Sequence, residues 1–136
     1  MEKCPECNKD YNGYCKQCNS SHFRDNFKKW TSGDDNIDNL IRESQLNASS
    51  IFNFLEWIEY SKFENIEHIA DGGFGKVYKA IWKDGTITSK KDEIKNIYYQ
   101  WDVGRSEWIR YGETTVAVKQ YRSGMNMSSN ICYILQ

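Results

Sequence analysis

Apolar residues recur at two different intervals along the chain, and the change of interval divides it into a helical part and a strand-forming part. Phe23, Phe27 and Trp30 follow one another at helical spacing, and the run from Ile37 to Ile41 repeats that rule. This interval places the apolar side chains on one face of an α-helix. We therefore predict helices in the region from Ser20 to Ser61.

Polar residues indicate where these helices begin. The segment "TSGDD" interrupts the pattern, and Asp34 or Asp35 can cap the following helix, because a carboxylate accepts hydrogen bonds from the free backbone N–H groups of the first turn. A third apolar run, "SSIFNFLEWI", begins at Ser49 and Ser50 and predicts a further helix. The apolar faces favour a packed spacer, and a partner-binding surface is the alternative.

From Phe63 onwards the pattern changes to that of strands. The stretches "KVYKAIW" and "TTVAVKQY" alternate and are rich in strand-forming residues. The connection from Ile81 to Glu113 begins with the turn signal Asp84–Gly85 and carries five aromatic residues in its second half. We predict an extended hairpin with a solvated tip, whose aromatic residues pack on one another across strands. A docking patch is the alternative.

Composition excludes several classes of protein. The net charge of −1 and the pI of about 6.1 argue against a nucleic-acid-binding or anionic-membrane surface. Five Trp and nine Tyr are too many for a disordered chain, and the sequence has no run of membrane-spanning length. The charged N-terminus lacks an apolar signal core, which predicts an intracellular, cytoplasmic protein. The five cysteines are therefore expected to be ligands or free thiols.

Four of the cysteines form two C-x-x-C pairs. Cys4 and Cys7 are one pair, Cys15 and Cys18 are the other, and the hairpin signal Asn12–Gly13 lies between them. A tight turn there would bring the pairs face to face, and four thiolates on opposed turns suit tetrahedral zinc. We predict a structural zinc site, because a catalytic zinc keeps a position open for water or substrate. Two disulfides, or reduced thiols without metal, are the alternatives.

Three other residues bear on this site. Asn8 and Asn19 each follow a cysteine pair, and Asn tolerates the left-handed conformation that a chain bending back round a metal often needs. His22 is a substitute ligand in principle, but four cysteines already complete the shell, so we expect an ordinary surface histidine. Cys132 lies in an apolar tail and receives no role.

The stretch "IADGGFGKVYKA" places Gly72, Gly73 and Gly75 between two strand-like runs. Glycine lets backbone N–H groups approach an anion closely, since no Cβ stands in the way. The sequence has no G-x-x-x-x-G-K-[ST], which excludes a P-loop. The segment after the glycines alternates as a strand does and opens no helix, which excludes a dinucleotide-binding fold.

This stretch and "VAVK" at Val116–Lys119 together resemble the N-terminal lobe of a eukaryotic protein kinase. The family pattern is G-x-G-x-x-G-x-V, followed by A-x-K on the third strand. Gly72 matches the second glycine, Gly75 the third and Val77 the valine, whereas Ala70 stands at the position of the first. The resemblance covers residues 63–121, a little under half of the chain.

The resemblance implies an ATP site. In kinases the glycine loop covers the phosphates and the lysine contacts the α- and β-phosphates. By resemblance, Ile69, Val77 and Ala117 would enclose the adenine and Lys119 would hold the phosphates; an ordinary edge-strand lysine is the alternative for Lys119. The implied nucleotide contacts are Ile69, Ala70, Asp71, Gly72, Gly73, Phe74, Gly75, Lys76, Val77, Ala117 and Lys119.

The chain also departs from the family. After Lys119 it contains no helix with the pairing glutamate, no H-R-D-x-x-x-x-N loop and no D-F-G, so a catalytic base and magnesium ligands are missing. We therefore expect a truncated kinase-family chain that is inactive by itself, whereas its full-length form would phosphorylate Ser, Thr or Tyr on proteins. The alternative is a non-catalytic, zinc-containing protein-interaction module.

The predicted fold class is α+β, with a small zinc-binding hairpin, a helical linker and an incomplete antiparallel kinase N-lobe sheet. The predicted partners are ATP and a protein that binds the zinc and helical region, with no nucleic acid and no membrane. An exposed apolar edge beside the lysine strand is expected to make the lobe aggregation-prone, with the apolar tail "ICYILQ" adding to the hazard; partial masking of that edge by the tail is the alternative. The domain boundaries are 1–19 for the zinc hairpin, 20–61 for the linker, 62–121 for the partial lobe and 122–136 for the tail.

Overall fold

The computed structural model describes residues 2–72, 75–122 and 130–135, and for 119–122 and 130–135 it describes the backbone only. The chain forms two compact units. The first combines Met1–Trp57 with Ile87–Arg110, and the second combines Ile58–Thr86 with Tyr111–Gln136. The first unit is therefore discontinuous, and we call its second segment, Ile87–Arg110, the insert.

The first unit contains two helices and three two-stranded antiparallel sheets. Strand β1 pairs with β2, β5 with β6, and β7 with β8. The elements are β1 Glu2–Lys3, β2 Asp10–Tyr11, α1 Lys16–Asn26, α2 Asp35–Asn47, β5 Lys90–Asp92, β6 Ile97–Tyr99, β7 Trp101–Asp102 and β8 Glu107–Trp108.

Helix α2 begins where its polar cap predicts. The Asp34 carboxylate accepts hydrogen bonds from the backbone N–H groups of Asn36, at 2.9 Å, and Ile37, at 3.3 Å. Arg42 joins α2 to the segment that follows α1: its guanidinium lies 5.0 Å from the ring centroid of Trp30 and donates a hydrogen bond to the Phe27 carbonyl. The "TSGDD" break and the Asp34 cap are thus confirmed.

Asp38 is a buried carboxylate on α2 that holds the loop before the helix. It accepts hydrogen bonds from the Thr31 hydroxyl at 2.6 Å and from the Ser32 backbone N–H at 2.8 Å and hydroxyl at 2.5 Å. Burial alone would raise its pKa, but these donors and the positive charge of Arg42 hold the pKa of Asp38 below its ordinary value.

Because the folded state lowers this pKa, Asp38 stabilises the protein at neutral pH, and its contribution is lost as the pH falls through the folded pKa. Asp38→Asn is expected to cost about 1–3 kcal/mol at pH 7, since the amide accepts these hydrogen bonds poorly. The difference in unfolding free energy between the wild type and Asp38→Asn should narrow below about pH 4, near the unfolded pKa of an aspartate. Urea titrations at several pH values measure the cost at pH 7 and its decrease in acid.

The control for this prediction is Asp35→Asn, an exposed position on the first turn of the same helix. Acid also protonates other groups, but it does so in all three proteins, so the difference between them isolates Asp38. A difference in unfolding free energy between wild type and Asp38→Asn that stays constant from pH 7 to pH 3 would contradict the stabilising role of the ionised Asp38 carboxylate.

The segment after α2 does not form the predicted third helix. The Asn53 side-chain oxygen accepts hydrogen bonds from the backbone N–H groups of Ser49 and Ser50, which makes a turn. Beyond it, the Leu55 backbone donates to the Ser44 hydroxyl and accepts from the Gln45 amide. These bonds hold the segment in a non-helical conformation, and side chains of α2 thereby override the helical pattern of "SSIFNFLEWI".

The insert is two short hairpins and not the single extended one predicted. In each hairpin an aspartate begins the turn and a residue four positions later has positive φ. The Asp92 carboxylate accepts from backbone N–H groups in the first turn, where Asn96 has φ 57°. The Asp102 carboxylate does so in the second, where Ser106 has φ 52°. Asx turns of this kind are local signals that sequence reasoning missed.

The second unit is a four-stranded antiparallel sheet with the order β10-β9-β4-β3. Its strands are β3 Phe63–Gly72, β4 Gly75–Trp82, β9 Thr114–Arg122 and β10 Asn130–Leu135. One face is packed, and Ile58 and Tyr78 lie against its buried residues, which are Phe63, Ala80, Trp82, Val116 and Val118.

Strand β10 corrects the expectation of an exposed edge at the lysine strand and agrees with the alternative that the tail masks it. It pairs with β9 along its whole length, from Asn130 opposite Arg122 to Leu135 opposite Ala117. The apolar tail is β-prone, so it covers the edge of β9 by backbone pairing.

The segment that follows β4 and the segment that precedes β9 lie close together. Gly85 has φ 71°, and a Cβ there would lie 2.1 Å from the carbonyl oxygen of Gly112, so only glycine fits. The Gly112 N–H donates to the Asp84 carbonyl, and the Tyr111 N–H donates to the Thr86 carbonyl. The Asp84–Gly85 signal therefore marks this close approach of two chain segments.

The α+β class is confirmed: two helices accompany several small antiparallel sheets in the described residues. Neither helix within these ranges has the length and apolar character that crossing a bilayer would demand.

Candidate metal centre and the glycine-rich hairpin

Cys4, Cys7, Cys15 and Cys18 converge on one point of the first unit. Their sulfur atoms all lie within 4.8 Å of one another. The Sγ atoms of Cys4 and Cys18 are 3.9 Å apart, and those of Cys7 and Cys15 are 3.8 Å apart. A disulfide requires about 2.05 Å, so all four are free thiols. Four cysteines placed this closely can bind a metal ion such as zinc.

The spacing also fits a particular coordination geometry. Zinc–thiolate bonds are about 2.3 Å long, which puts the corners of a tetrahedral site about 3.8 Å apart. Both sulfur pairs have that separation within about 0.1 Å. Two of the sulfur pairs therefore already have the spacing of a tetrahedral four-thiolate shell, and all four sulfurs lie within 4.8 Å of one another.

Local backbone geometry presents the cysteines, though not in the way that Asn12–Gly13 predicts. The hairpin forms instead around the first cysteine pair, where β1 and β2 pair and Asn8 bends the chain with φ 59°. Of Asn12 and Gly13, only Gly13 has a positive φ. The chain there passes from β2 towards α1, so the hairpin signal is wrong but the face-to-face arrangement is confirmed.

The second cysteine pair lies at the start of α1. Cys15 is the N-cap residue and Cys18 lies in the first turn, where the positive end of the helix dipole favours thiolates. Asn8 adopts the left-handed conformation that its residue type tolerates, whereas Asn19 is helical and does not.

The thiols differ in acidity. The backbone N–H of Lys9 lowers the pKa of the Cys7 thiol to about 7. Burial raises the pKa of Cys4 and of Cys18. Buried thiols of this kind keep their protons at neutral pH unless a cation replaces them, so metal binding here would release protons.

His22 is not a member of the cysteine cluster. Its Nε2 lies 2.7 Å from the Glu6 carboxylate, and its ring stacks on Trp101 with 3.8 Å between centroids. It is therefore a packing residue with a polar partner and not the ordinary surface histidine expected from the sequence.

Sequence reasoning missed the residues that surround the cysteine segment. Gln100, in the insert, donates to the Gly13 carbonyl at 2.7 Å and accepts from the Asn19 amide at 3.1 Å. The Tyr11 hydroxyl donates to the Tyr98 carbonyl at 2.5 Å. These partners lie more than 80 positions apart in the sequence. No local sequence pattern predicts contacts between residues so far apart.

The glycine-rich stretch forms the β3–β4 hairpin. Gly72 pairs with Gly75, Asp71 with Lys76, and Ala70 with Val77. A bulge between His68 and Ala70 leaves Ile69 about half exposed. Gly73 and Phe74, two of the predicted nucleotide contacts, lie outside the described residues.

The register places further predicted contacts on one face of the sheet. Val77 pairs with Lys119, and Lys79 pairs with Ala117, so strand alternation puts positions 77, 117 and 119 on the same side. The packed core occupies the opposite face. The side chain of Lys119 is outside the described part of the chain.

Comparison of the chain with protein-family models, with curated proteins and with solved structures found no match. Its function is therefore inferred from the chemistry and geometry of its own residues.

Proposed function

We propose that the first unit binds one structural zinc ion through Cys4, Cys7, Cys15 and Cys18. The observation that carries this is the convergence of four free thiols within 4.8 Å of one another, with two of the sulfur pairs at tetrahedral spacing. A four-thiolate shell has no vacancy for water or substrate, so the metal stabilises the fold and performs no reaction. Serine in place of Cys7 or Cys15 tests the site, because the loss of one thiolate should remove the zinc.

We further propose that the second unit is the nucleotide-binding sheet of a protein-kinase N-terminal lobe. In its full-length form such a protein would transfer phosphate from ATP to Ser, Thr or Tyr. Two things support this: the motif pair "GGFGKV" and "VAVK", and an antiparallel register that puts Val77, Ala117 and Lys119 on the face opposite the core. An apolar strip beside a lysine suits a flat base followed by phosphates.

A sheet face covers a base from one side only, so we expect weak binding of ATP. A dissociation constant near 1 mM corresponds to about 4.1 kcal/mol. An acyl-phosphate derivative of ATP delivers an acyl group to lysines beside the phosphates. With 10 mM competing Mg-ATP, acylation of Lys119 should therefore fall roughly tenfold. Peptide mass spectrometry of the labelled chain measures this directly.

The matched control is Lys83, which lies beyond the glycine hairpin at the far end of β4 and pairs with Glu64 at 3.7 Å. Its acylation should not respond to ATP. Equal acylation of Lys119 with and without competing ATP would refute the nucleotide assignment and leave the lysine as an ordinary sheet residue.

A further inference from the structure

The insert is attached to the same chain segments that present the cysteines. Gln100 is 3% exposed and makes three polar contacts. Its amide nitrogen donates to the Gly13 carbonyl and to the Ser89 hydroxyl, and its oxygen accepts from Asn19. Gly13 lies between the two cysteine pairs, and Asn19 directly follows Cys18. A buried network of this kind is stable only if every member keeps its partner.

Aromatic contacts make the same connection. His22 and Phe23, on the helix that carries Cys18, meet Trp101 at 3.8 Å and Trp108 at 4.6 Å between ring centroids. The hairpins of the insert are only three and two residue pairs long, and isolated two-stranded hairpins are marginal in water. The insert therefore depends on α1 for its fold.

The ends of the insert connect to the two strands that bear the proposed nucleotide contacts. Between Trp82 at the end of β4 and Thr114 at the start of β9 the chain has 31 residues. When the insert is folded, only residues 83–86 and 111–113 remain outside it. Closing a loop costs more entropy as the loop lengthens. Because the folded insert shortens the flexible part of this connection, it raises the equilibrium constant for β4–β9 pairing roughly fivefold to tenfold.

We propose that metal binding at the four cysteines folds the insert and thereby tightens the pairing of β4 with β9. The metal centre would then control how firmly Val77 and Lys119 are held side by side. This inference rests on the proposed metal site. The zinc would then stabilise the cysteine segment and also regulate the pairing of β4 with β9.

Hydrogen exchange of the whole chain tests the proposal, with zinc-loaded protein compared with metal-free protein prepared in chelator and reductant. Metal removal should abolish protection in peptides from 87–110. It should also accelerate exchange in peptides from 76–82 and 114–118 roughly fivefold to tenfold. The zinc content of each sample is measured in parallel, so metal binding and insert folding are separate readouts.

Two variants separate the coupling from the metal site. At saturating zinc, Gln100→Ala should keep one zinc per chain yet lose protection across the insert. Val103→Ala, at a 64% exposed position in the β7–β8 turn, should match the wild type. Trp101→Ala, which removes the stack on His22, provides a second test if Gln100→Ala does not fold.

The outcomes are distinguishable. A chain that binds one zinc but protects 87–110 equally with and without it overturns this inference and leaves the metal site standing. A chain that binds no zinc overturns both. Equal behaviour of Gln100→Ala, Trp101→Ala and Val103→Ala also overturns the coupling.

Discussion

Replacing Cys7 or Cys15 by serine is expected to lower the zinc content from one ion per chain to none and to unfold the first unit. Each substitution removes one of four thiolates, and the few buried side chains of this segment cannot replace the metal. Structural zinc supplies about 10–16 kcal/mol to small zinc-binding peptides, more than the total stability of many domains. Elemental analysis and near-ultraviolet circular dichroism of the tryptophans measure the two effects.

Cys132→Ser is the matched control, because Cys132 lies in β10 of the second unit and is not one of the four proposed ligands. It should keep one zinc and the wild-type spectrum. A Cys7→Ser protein that still binds one zinc tightly would contradict the proposed ligand set, as would a wild-type chain with two stable disulfides under reducing conditions.

Local chemistry accounts for the features that the sequence predicted correctly. The cysteine spacing predicted a compact cluster because two ligands with two residues between them lie on one turn. The Asp34 cap needs only the backbone of the next three residues. The alternation in "KVYKAIW" predicted a strand, and β4 spans Gly75–Trp82. Each of these inferences depends on residues that are near one another in the chain.

Features that depend on distant residues could not be predicted in this way. The apolar run after Ser50 is compatible with a helix, but the Leu55 backbone donates a hydrogen bond to Ser44 and accepts one from Gln45, and these bonds hold the run in another conformation. The aromatic residues of the insert do pair across strands, as Trp101 and Trp108 show. Their larger role, contact with α1, depends on a segment some 80 positions away. Sequence periodicity contains no information on such pairings.

Phe23→Ala should be the most damaging single change outside the metal ligands. Phe23 is 3% exposed, and its ring lies 5.0 Å from that of Phe54 and 4.6 Å from that of Trp108. It thereby joins α1, the segment after α2 and the insert. Truncating a buried Phe costs about 3–5 kcal/mol through lost burial and the cavity that remains. Urea unfolding of zinc-loaded protein, followed by tryptophan fluorescence, measures the loss.

The chain supplies a matched control in Phe52, which is 88% exposed and only two positions from Phe54. Phe52→Ala removes the same atoms without leaving a cavity, so it should change stability by less than about 0.5 kcal/mol. Zinc content must be equal in both variants, so that lost packing is not confused with lost metal. A cost below about 1 kcal/mol for Phe23→Ala under these conditions would mean that the metal alone stabilises the first unit. The insert would then be attached to α1 without contributing to its stability, and metal binding would have no packed interface through which to act on the insert.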